Sequence, residues 1–442
     1  MVGVAETVDL IAMAHHVSGD QRAATAYYER SVALFTELDD RRRLANALAL
    51  LALCGPSYHS SSTTPFISVA GSEELRSPRS FRLAHEIGWR TGEAFLRFLI
   101  ADCLAWRGEY DRAIPLAHEA SAEASEIDHL EWTAGAFRLL GVLSLELLSP
   151  NAAREHLETA YQIAQRLGSH VWIRWTAAPL AVARARTSDL SGALDVLERA
   201  LRLPAGAEAG DAPAGADSRT LTLGERQLWL ARAELALAEH RPELTLAIVD
   251  ARLASERAVN PDDVLGVPRL SLLRAEALSA LGRYEEAERT LESARREAVE
   301  QNAQPMRWKV EAALGHVYRL QRRRLEARRA FDTARAIADE LAAKIPDEDL
   351  RTRFVDGLDL LIPAKPRPTP KRVAKAAFGG LTRRERDVAE LIARGKTNRA
   401  IARELGIGER TVEGYVAAAL SKLSFASRAQ LAGWVVEKKG AS

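Results

Sequence analysis

Cysteine is nearly missing from this chain. Of 442 residues only Cys54 and Cys103 are cysteine, far apart and in no Cys-x-x-Cys or Cys/His cluster. That excludes a disulfide framework and a cysteine-based zinc site, and leaves two buried thiols in a reducing compartment as the expectation. Long apolar runs are missing too. The longest, Leu44 to Cys54, is alanine-rich and 11 residues long, whereas a membrane span needs about 20. The first residues carry no basic region, and Glu6 and Asp9 interrupt their apolar stretch. No export signal or membrane association is therefore read, and a cytoplasmic location is expected. Catalytic constellations are also lacking. The ten histidines are scattered, His15-His16 is the only pair, and no His-x3-His or nucleophile elbow occurs. Gly395-Lys396-Thr397 looks like the end of a phosphate-binding loop, but that loop needs a glycine where Glu390 stands. No enzymatic activity, metal or cofactor is expected.

What is present is a charge asymmetry. The net charge is only +1. From Lys365 to Ser442, however, there are 17 basic and 7 acidic residues, a net of +10, against −9 for the remainder. A small basic segment on an acidic body is the footprint of a nucleic-acid contact.

The acidic body reads as a repeat array. Turn signals recur at Gly19-Asp20, Gly108-Glu109-Tyr110, Ser149-Pro150-Asn151, Ser188-Asp189, His240-Arg241-Pro242, Gly282-Arg283-Tyr284 and Arg323-Arg324. Once the first interval is counted as two units and the Pro/Gly/Ala-rich stretch Pro204 to Ser218 as a loop insertion, the period is about 40 residues. Similar phrases follow the turns, such as Leu190-Ser191-Gly192-Ala193-Leu194 and Tyr284-Glu285-Glu286-Ala287-Glu288. Small alanines let helices approach closely, and leucines at i, i+3 and i+4 supply a buried stripe. Such units bury their apolar faces only by stacking. Residues 4–343 resemble the tetratricopeptide class, with longer units. Trp89, Trp132, Trp172, Trp175, Trp229 and Trp308 recur near the starts of first helices; they line a ligand groove or serve as packing residues. Gly55 to Ser80 reads as a long loop.

A linker over 346–376 is expected next. Between Leu361 and Arg372 lie four prolines and four basic residues, a density of proline that keeps the chain extended. Its charges act as a solvated tether or touch phosphates. Then Thr382 and Glu385 form a capping box that starts a helix with Val388, Leu391 and Ile392 on its apolar face. Gly395 ends that helix. Thr397 caps a second, Asn398 to Leu405, and Gly406 makes a tight turn. A third runs from Glu409 to about Leu423, with Gly408 at its cap, and Ser427 and Gln430 cap a last one. Two short helices joined by a three- to four-residue turn containing glycine form the DNA-binding supersecondary unit, whose second helix enters the major groove.

The segment Leu381-Thr382-x-Arg384-Glu385, Leu391-Ile392-Ala393-x-Gly395-x-Thr397-Asn398-x-x-Ile401-Ala402-x-x-Leu405, Thr411-Val412, Lys422-Leu423 and Ser427-Arg428-x-Gln430-Leu431 resembles the LuxR-type (GerE-like) helix-turn-helix domain. With helical repeats upstream, the chain resembles the large MalT-like LuxR regulators, without the nucleotide-binding module those carry. The fold expected is all-α: a tetratricopeptide-like solenoid over 1–345, the linker, and a four-helix LuxR-type domain over 377–442. The resemblance implies a transcriptional regulator that pairs as a homodimer on double-stranded DNA. RNA polymerase is a further candidate partner, and the repeat arm is expected to sense a small molecule or a protein. The resemblance also implies residue roles. Thr397 and Asn398 begin the positioning helix; Lys396, Thr411 and Lys422 contact phosphates; Glu413, Gly414 and Ala417 face base edges; Leu431, Trp434 and Val435 pair two domains. Where the family often has Lys, His and Asn, this chain has Glu413, Tyr415 and Ala418. A carboxylate accepts from cytosine N4 and alanine touches a thymine methyl, but neither attracts phosphate. Backbone affinity then falls to Arg399, Arg410, Lys422 and Arg428. The alternative is a repeat-type interaction scaffold with a vestigial DNA-binding domain.

Overall fold

The computed structural model describes residues 1–58, 78–203, 222–259, 266–363 and 378–440. The chain divides into two compact units, Met1–Pro363 and Ala364–Ser442. Among the described residues every regular element is helical.

In the first unit α1 (Val2–Ser18), α2 (Gln21–Glu37) and α3 (Arg41–Leu53) precede α4 (Arg79–Glu86). Then come α5 (Arg90–Trp106), α6 (Tyr110–Glu126), α7 (Leu130–Glu146), α8 (Pro150–Leu167), α9 (His170–Arg186) and α10 (Leu190–Leu201). The array continues with α11 (Leu223–Ala238), α12 (Pro242–Val259), α13 (Pro268–Ala280), α14 (Tyr284–Glu300), α15 (Gln304–Leu320) and α16 (Arg324–Ala342), and closes with α17 (Glu348–Leu361). The anticipated insertion from Pro204 to Ser218 and most of the loop from Gly55 to Ser80 lie outside the described residues; α4 already begins within that loop's expected end.

The repeat has a simple origin. A 17-residue helix such as α5 is followed by a C-cap (Arg107), a residue in the left-handed region (Gly108) and an N-cap (Glu109), after which α6 starts. Left-handed residues therefore fall at Gly88, Gly108, Asp128, Leu148, Gly168 and Ser188, 20 apart, and again at Gly282, Asn302 and Arg322. Two such steps make the expected period of 40. Of the turns between units, which the sequence reading passed over, those at Asp128 and Asn302 carry no glycine signal, since both take the conformation with side chains that only tolerate it. Where an aspartate follows, it caps the next helix: Asp20 accepts from the Ala23 N–H, and Asp189 from that of Gly192.

Packing follows the small residues. Ala113, Ala117, Ala120 and Ala124 of α6, and Ala287, Ala294 and Ala298 of α14, are buried at helical spacing. At Gly141 of α7 a Cβ would stand 2.3 Å from Leu157 Cγ of α8, so only glycine permits that approach. The array coils on itself. Arg226 of α11 donates to the Ser18 carbonyl at 3.2 Å across 208 residues, and Lys309 of α15 reaches Glu146 of α7 across 163.

The tryptophans mostly pack between units. Trp172 is buried, donates to Glu131 at 2.8 Å and meets Trp132 and Trp175 edge-on. Cys54 and Cys103 are free and buried, and burial pushes the Cys54 thiol up to about 12. His16 is buried beside Cys54, its Nδ1 3.5 Å from Sγ, and burial lowers it to about 4, so the imidazole is neutral.

The expected linker needs correcting. Residues 348–361 form α17, capped by Asp347. Phe354 and Leu358 are fully buried, Phe354 lying edge-on to Trp308. Leu350, Phe354 and Leu358 form an i, i+4, i+8 stripe that docks on the last repeat. The first unit thus extends to Pro363, and the remaining linker, 364–377, lies outside the described residues.

Candidate nucleic-acid interface

The second unit contains α18 (Arg383–Ala393), α19 (Asn398–Leu405), α20 (Glu409–Leu423) and α21 (Arg428–Gly440). Each starts where its capping residue stands. Thr382 accepts from the Glu385 N–H, and the Glu385 carboxylate accepts from the Thr382 N–H. The same reciprocal pair joins Ser427 and Gln430. Thr397 caps α19 through the Ala400 N–H. Gly395, at φ 76°, ends α18 with the Lys396 N–H donating back to the Leu391 carbonyl. Gly406, at φ 65°, ends α19, and α20 begins two residues beyond Ile407. Leu381, Val388, Ile401, Val412 and Leu431 are fully buried at the centre.

α20 turns one face inward through Val412 and Ala419 and leaves Arg410, Thr411, Glu413, Gly414 and Ala417 exposed. Positions 410, 413, 414, 417 and 421 fall on one stripe at helical spacing. Gly414 has open space where a Cβ would stand. Nothing inside the domain requires glycine there, although it costs an exposed helix interior about 1 kcal/mol relative to alanine. On α19 Arg399 is exposed, as is Arg403 one turn on, a basic residue the sequence reading passed over. Lys396 is exposed, with its ammonium 3.8 Å from Glu404.

Two of the expected phosphate contacts are engaged inside the domain. Lys422 donates to both carboxylate oxygens of the buried Glu385 at 2.6 Å, tying α20 to α18. Burial acts to raise the Glu385 carboxyl, but the Lys422 hydrogen bond, the Thr382 N–H and the ammonium charge outweigh it and hold the group below its ordinary range. Arg428 donates to Asn398 Oδ1 at 2.6 Å and to the Lys396 carbonyl at 2.5 Å, clamping the start of α21 to the start of α19. Both pairs join residues 30 or more apart, with no local signal in the sequence. Lys422 and Arg428 are braces.

The expected pairing residues also need correcting. Leu431 and Val435 are buried in the domain core, and Trp434 is half-buried with its ring 6.3 Å from that of Phe425. Ala429, Gly433 and Val436 form one exposed stripe of α21, beside the exposed Gln430, Glu437 and Lys438. The spacing that singled out Leu431 and Val435 marked the inward stripe.

A basic unit in which a capped helix, a left-handed glycine turn and a second helix with an exposed stripe follow one another is a helix-turn-helix DNA-binding domain. Residues 380–435 match the bacterial regulatory proteins of the luxR family. The spore germination protein GerE of Bacillus subtilis is 46% identical over 50 residues, 11% of this chain and 68% of that protein. The nitrate/nitrite response regulator protein NarL of Escherichia coli K12 is 46% identical over 59 residues, 13% of this chain and 27% of NarL. The uncharacterized transcriptional regulatory protein YhcZ of Bacillus subtilis is 37% identical over 114 residues, 24% of this chain and 52% of YhcZ. Through this domain the chain belongs to the luxR family of bacterial regulatory proteins. It spans about half the length of YhcZ and about a quarter of NarL. Among solved structures, a Rap protein complexed with competence and sporulation factor aligns over 83% of this chain and 97% of its own, with a TM-score of 0.47 and 14% identity. The apo form of the quorum sensor NprR from B. thuringiensis aligns over 80% and 98%, with a TM-score of 0.40 and 12% identity. Likenesses at this level add nothing to the helical-repeat architecture already described. Among the described residues no helix is long and apolar enough to cross a membrane, and no group of three or more His, Cys, Asp or Glu side chains is placed to hold a metal ion.

Proposed function

We propose that this chain is a cytoplasmic, sequence-specific regulator of transcription that binds double-stranded DNA as a homodimer. The stripe of α20 enters the major groove, and the repeat arm senses a ligand or partner. The observation that carries the reading is the exposed stripe itself, with Gly414 at its centre. A bare backbone there shortens the approach to a groove and serves no purpose in the isolated domain. Thr397, Asn398 and Lys396 position α19 at the backbone; Arg399, Arg410 and Thr411 take phosphates; Glu413 and Ala417 read base edges. RNA polymerase is the partner an activator of this kind would engage.

Selection from a random DNA pool by the full chain, at low and high salt, tests this. A two-fold motif is the expected result, and Arg410→Ala should lower the salt slope of binding by about 1 without changing the motif. The pairing surface falls to Ala429, Gly433 and Val436. Val436→Glu is expected to leave the fold intact and give one protein per site by light scattering on the DNA complex. Two Val436→Glu copies on each site would remove this face from the assembly.

A second reading, a repeat scaffold with a vestigial DNA-binding domain, is favoured by one observation: the stripe is small and carries Glu413, and two of the expected cations are braces. Retention on DNA that is purely salt-sensitive, with no enriched motif, would support it.

A further inference from the structure

Two adjoining cavities lie within the repeat array. The larger, about 550 Å³, is lined from α9, α11, α13 and α15, and its size is that of a small-molecule site. The smaller, about 40 Å³, shares with it the walls at Val182, Arg186, Glu234 and Arg269. One water needs about 10–15 Å³, so the smaller has room for a head group of a few heavy atoms. Leu237, Leu272 and Ala313 give the larger a half-buried apolar wall. Charged groups line the rest. Lys309 donates to Glu146 at 2.5 Å; Arg269 donates to Glu234 at 2.6 Å and stands 3.7 Å from Glu146; Arg186 stands 3.8 Å from Glu234. Three cations thus share two carboxylates. Glu276 also lines the larger cavity, but it is exposed and water screens its charge. A fourth cation, the buried Arg138, lines the smaller cavity. Its Nε donates to the Trp175 carbonyl at 3.2 Å. Its buried Nη1 meets no hydrogen-bond acceptor among the described residues, Asp102 lying 4.0 Å away.

We propose that the paired cavities bind a small amphipathic carboxylate, its head group between Arg138 and Arg186 and its apolar body laid against Leu237, Leu272 and Ala313. The unmet valence is positive. Arg186 has the weakest hold of the three cations that share Glu146 and Glu234: it stands 3.8 Å from Glu234 and donates to the Leu145 carbonyl at 3.5 Å. A guanidinium buried with a donor unused is costly, and an acceptor that reaches it offsets the cost. Guanidinium and carboxylate also match in shape, two N–H donors facing two oxygens. An ammonium would enter beside an excess of cations and meet carboxylates already engaged. An alcohol would leave the excess as it stands. Arg138 comes from α7, Arg186 from α9, Glu234 from α11, Arg269 from α13 and Lys309 from α15. A ligand seated among them ties five helices of the array together.

The site deepens the sensor reading of the arm and rests on it for its biological role, while the binding itself is tested separately. Calorimetry on the full chain with hexanoate, n-hexylammonium and hexanol distinguishes the chemistries. Hexanoate is expected to bind at least tenfold more tightly than either of the others. Arg186→Gln, at an exposed side chain with long contacts, should fold normally and weaken hexanoate at least tenfold while leaving hexanol unchanged. Leu272→Trp, which fills the larger cavity without touching a charge, should abolish binding and serves if Arg186→Gln fails to fold. Glu276→Gln should keep hexanoate binding. No binding of hexanoate, equal binding of hexylammonium or hexanol, loss of binding in Glu276→Gln, or unchanged binding by both the Arg186 and Leu272 variants would overturn the proposal. Affinity for the selected DNA is then measured with and without hexanoate. Binding that leaves DNA affinity unchanged removes the sensor reading and leaves the carboxylate site standing.

Discussion

Arg269→Ala is expected to destabilise the repeat arm by about 3–5 kcal/mol near neutral pH, the cost of leaving a buried carboxylate without its partner. Arg269 donates through two nitrogens to Glu234, at 2.6 and 3.1 Å, and stands 3.7 Å from Glu146. All three side chains are largely buried. The network joins helices far apart in sequence, so its loss is felt where the array coils on itself. Burial works to raise both carboxyls. For Glu146 the charges of Lys309 and then Arg269 outweigh it, and for Glu234 those of Arg269 and then Arg186, so both are held below their ordinary range. A depressed carboxyl contributes stability that is present above its unfolded value and lost as the pH falls through the folded one. In Arg269→Ala, Glu234 keeps only Arg186 at 3.8 Å. Burial then dominates and its carboxyl rises, so the variant takes up a proton as the pH falls and part of its deficit is recovered. Thermal melts of both proteins by circular dichroism, from pH 8 to pH 4, should show a gap that narrows with acid. A gap constant across that range would mean that Arg269 acts by packing and not by charge.

Lys422→Ala should loosen the C-terminal unit by about 2 kcal/mol, less than a fully buried pair because the lysine is about a third exposed. The variant leaves Glu385, 6% exposed, with only its capping role. The expected readout is faster hydrogen exchange in residues 383–393 and 409–423 of the full chain, with the arm unaffected. Replacing both partners, Glu385→Leu with Lys422→Met, should restore most of the protection, since no buried charge is then stranded. Because the depressed Glu385 carboxyl needs its lysine, the wild-type unit loses this contribution as the pH falls through that lowered value. The DNA salt slope should not change. A slope reduced by about 1 with exchange unaltered would return Lys422 to the phosphate backbone.

The two residues illustrate how differently the ends of this chain could be read in advance. Thr382, Thr397, Gly406 and Ser427 act through neighbours three or four residues away, and capping is a local interaction, so the four helices of the C-terminal unit were legible at nearly their observed bounds. The 40-residue period was legible for the same reason: a 17-residue helix and a three-residue connector repeat along the chain. Leu431 and Val435 were misread because periodicity marks a stripe without saying whether the domain's own core or a second copy covers it. Residues 348–361 were misread because the prolines that follow masked the stripe of Leu350, Phe354 and Leu358.

By itself the sequence determined the helices, their caps, the repeat length, the basic C-terminal unit and its kinship, all of which depend on residues close together in the chain. Only the tertiary structure decided which charges meet: that Lys422 and Arg428 are braces, and that Glu146 finds Lys309 163 residues away. Ion pairs of that kind are set by the coiling of the array and the packing of the bundle, and the distance between partners along the chain carries no trace of them.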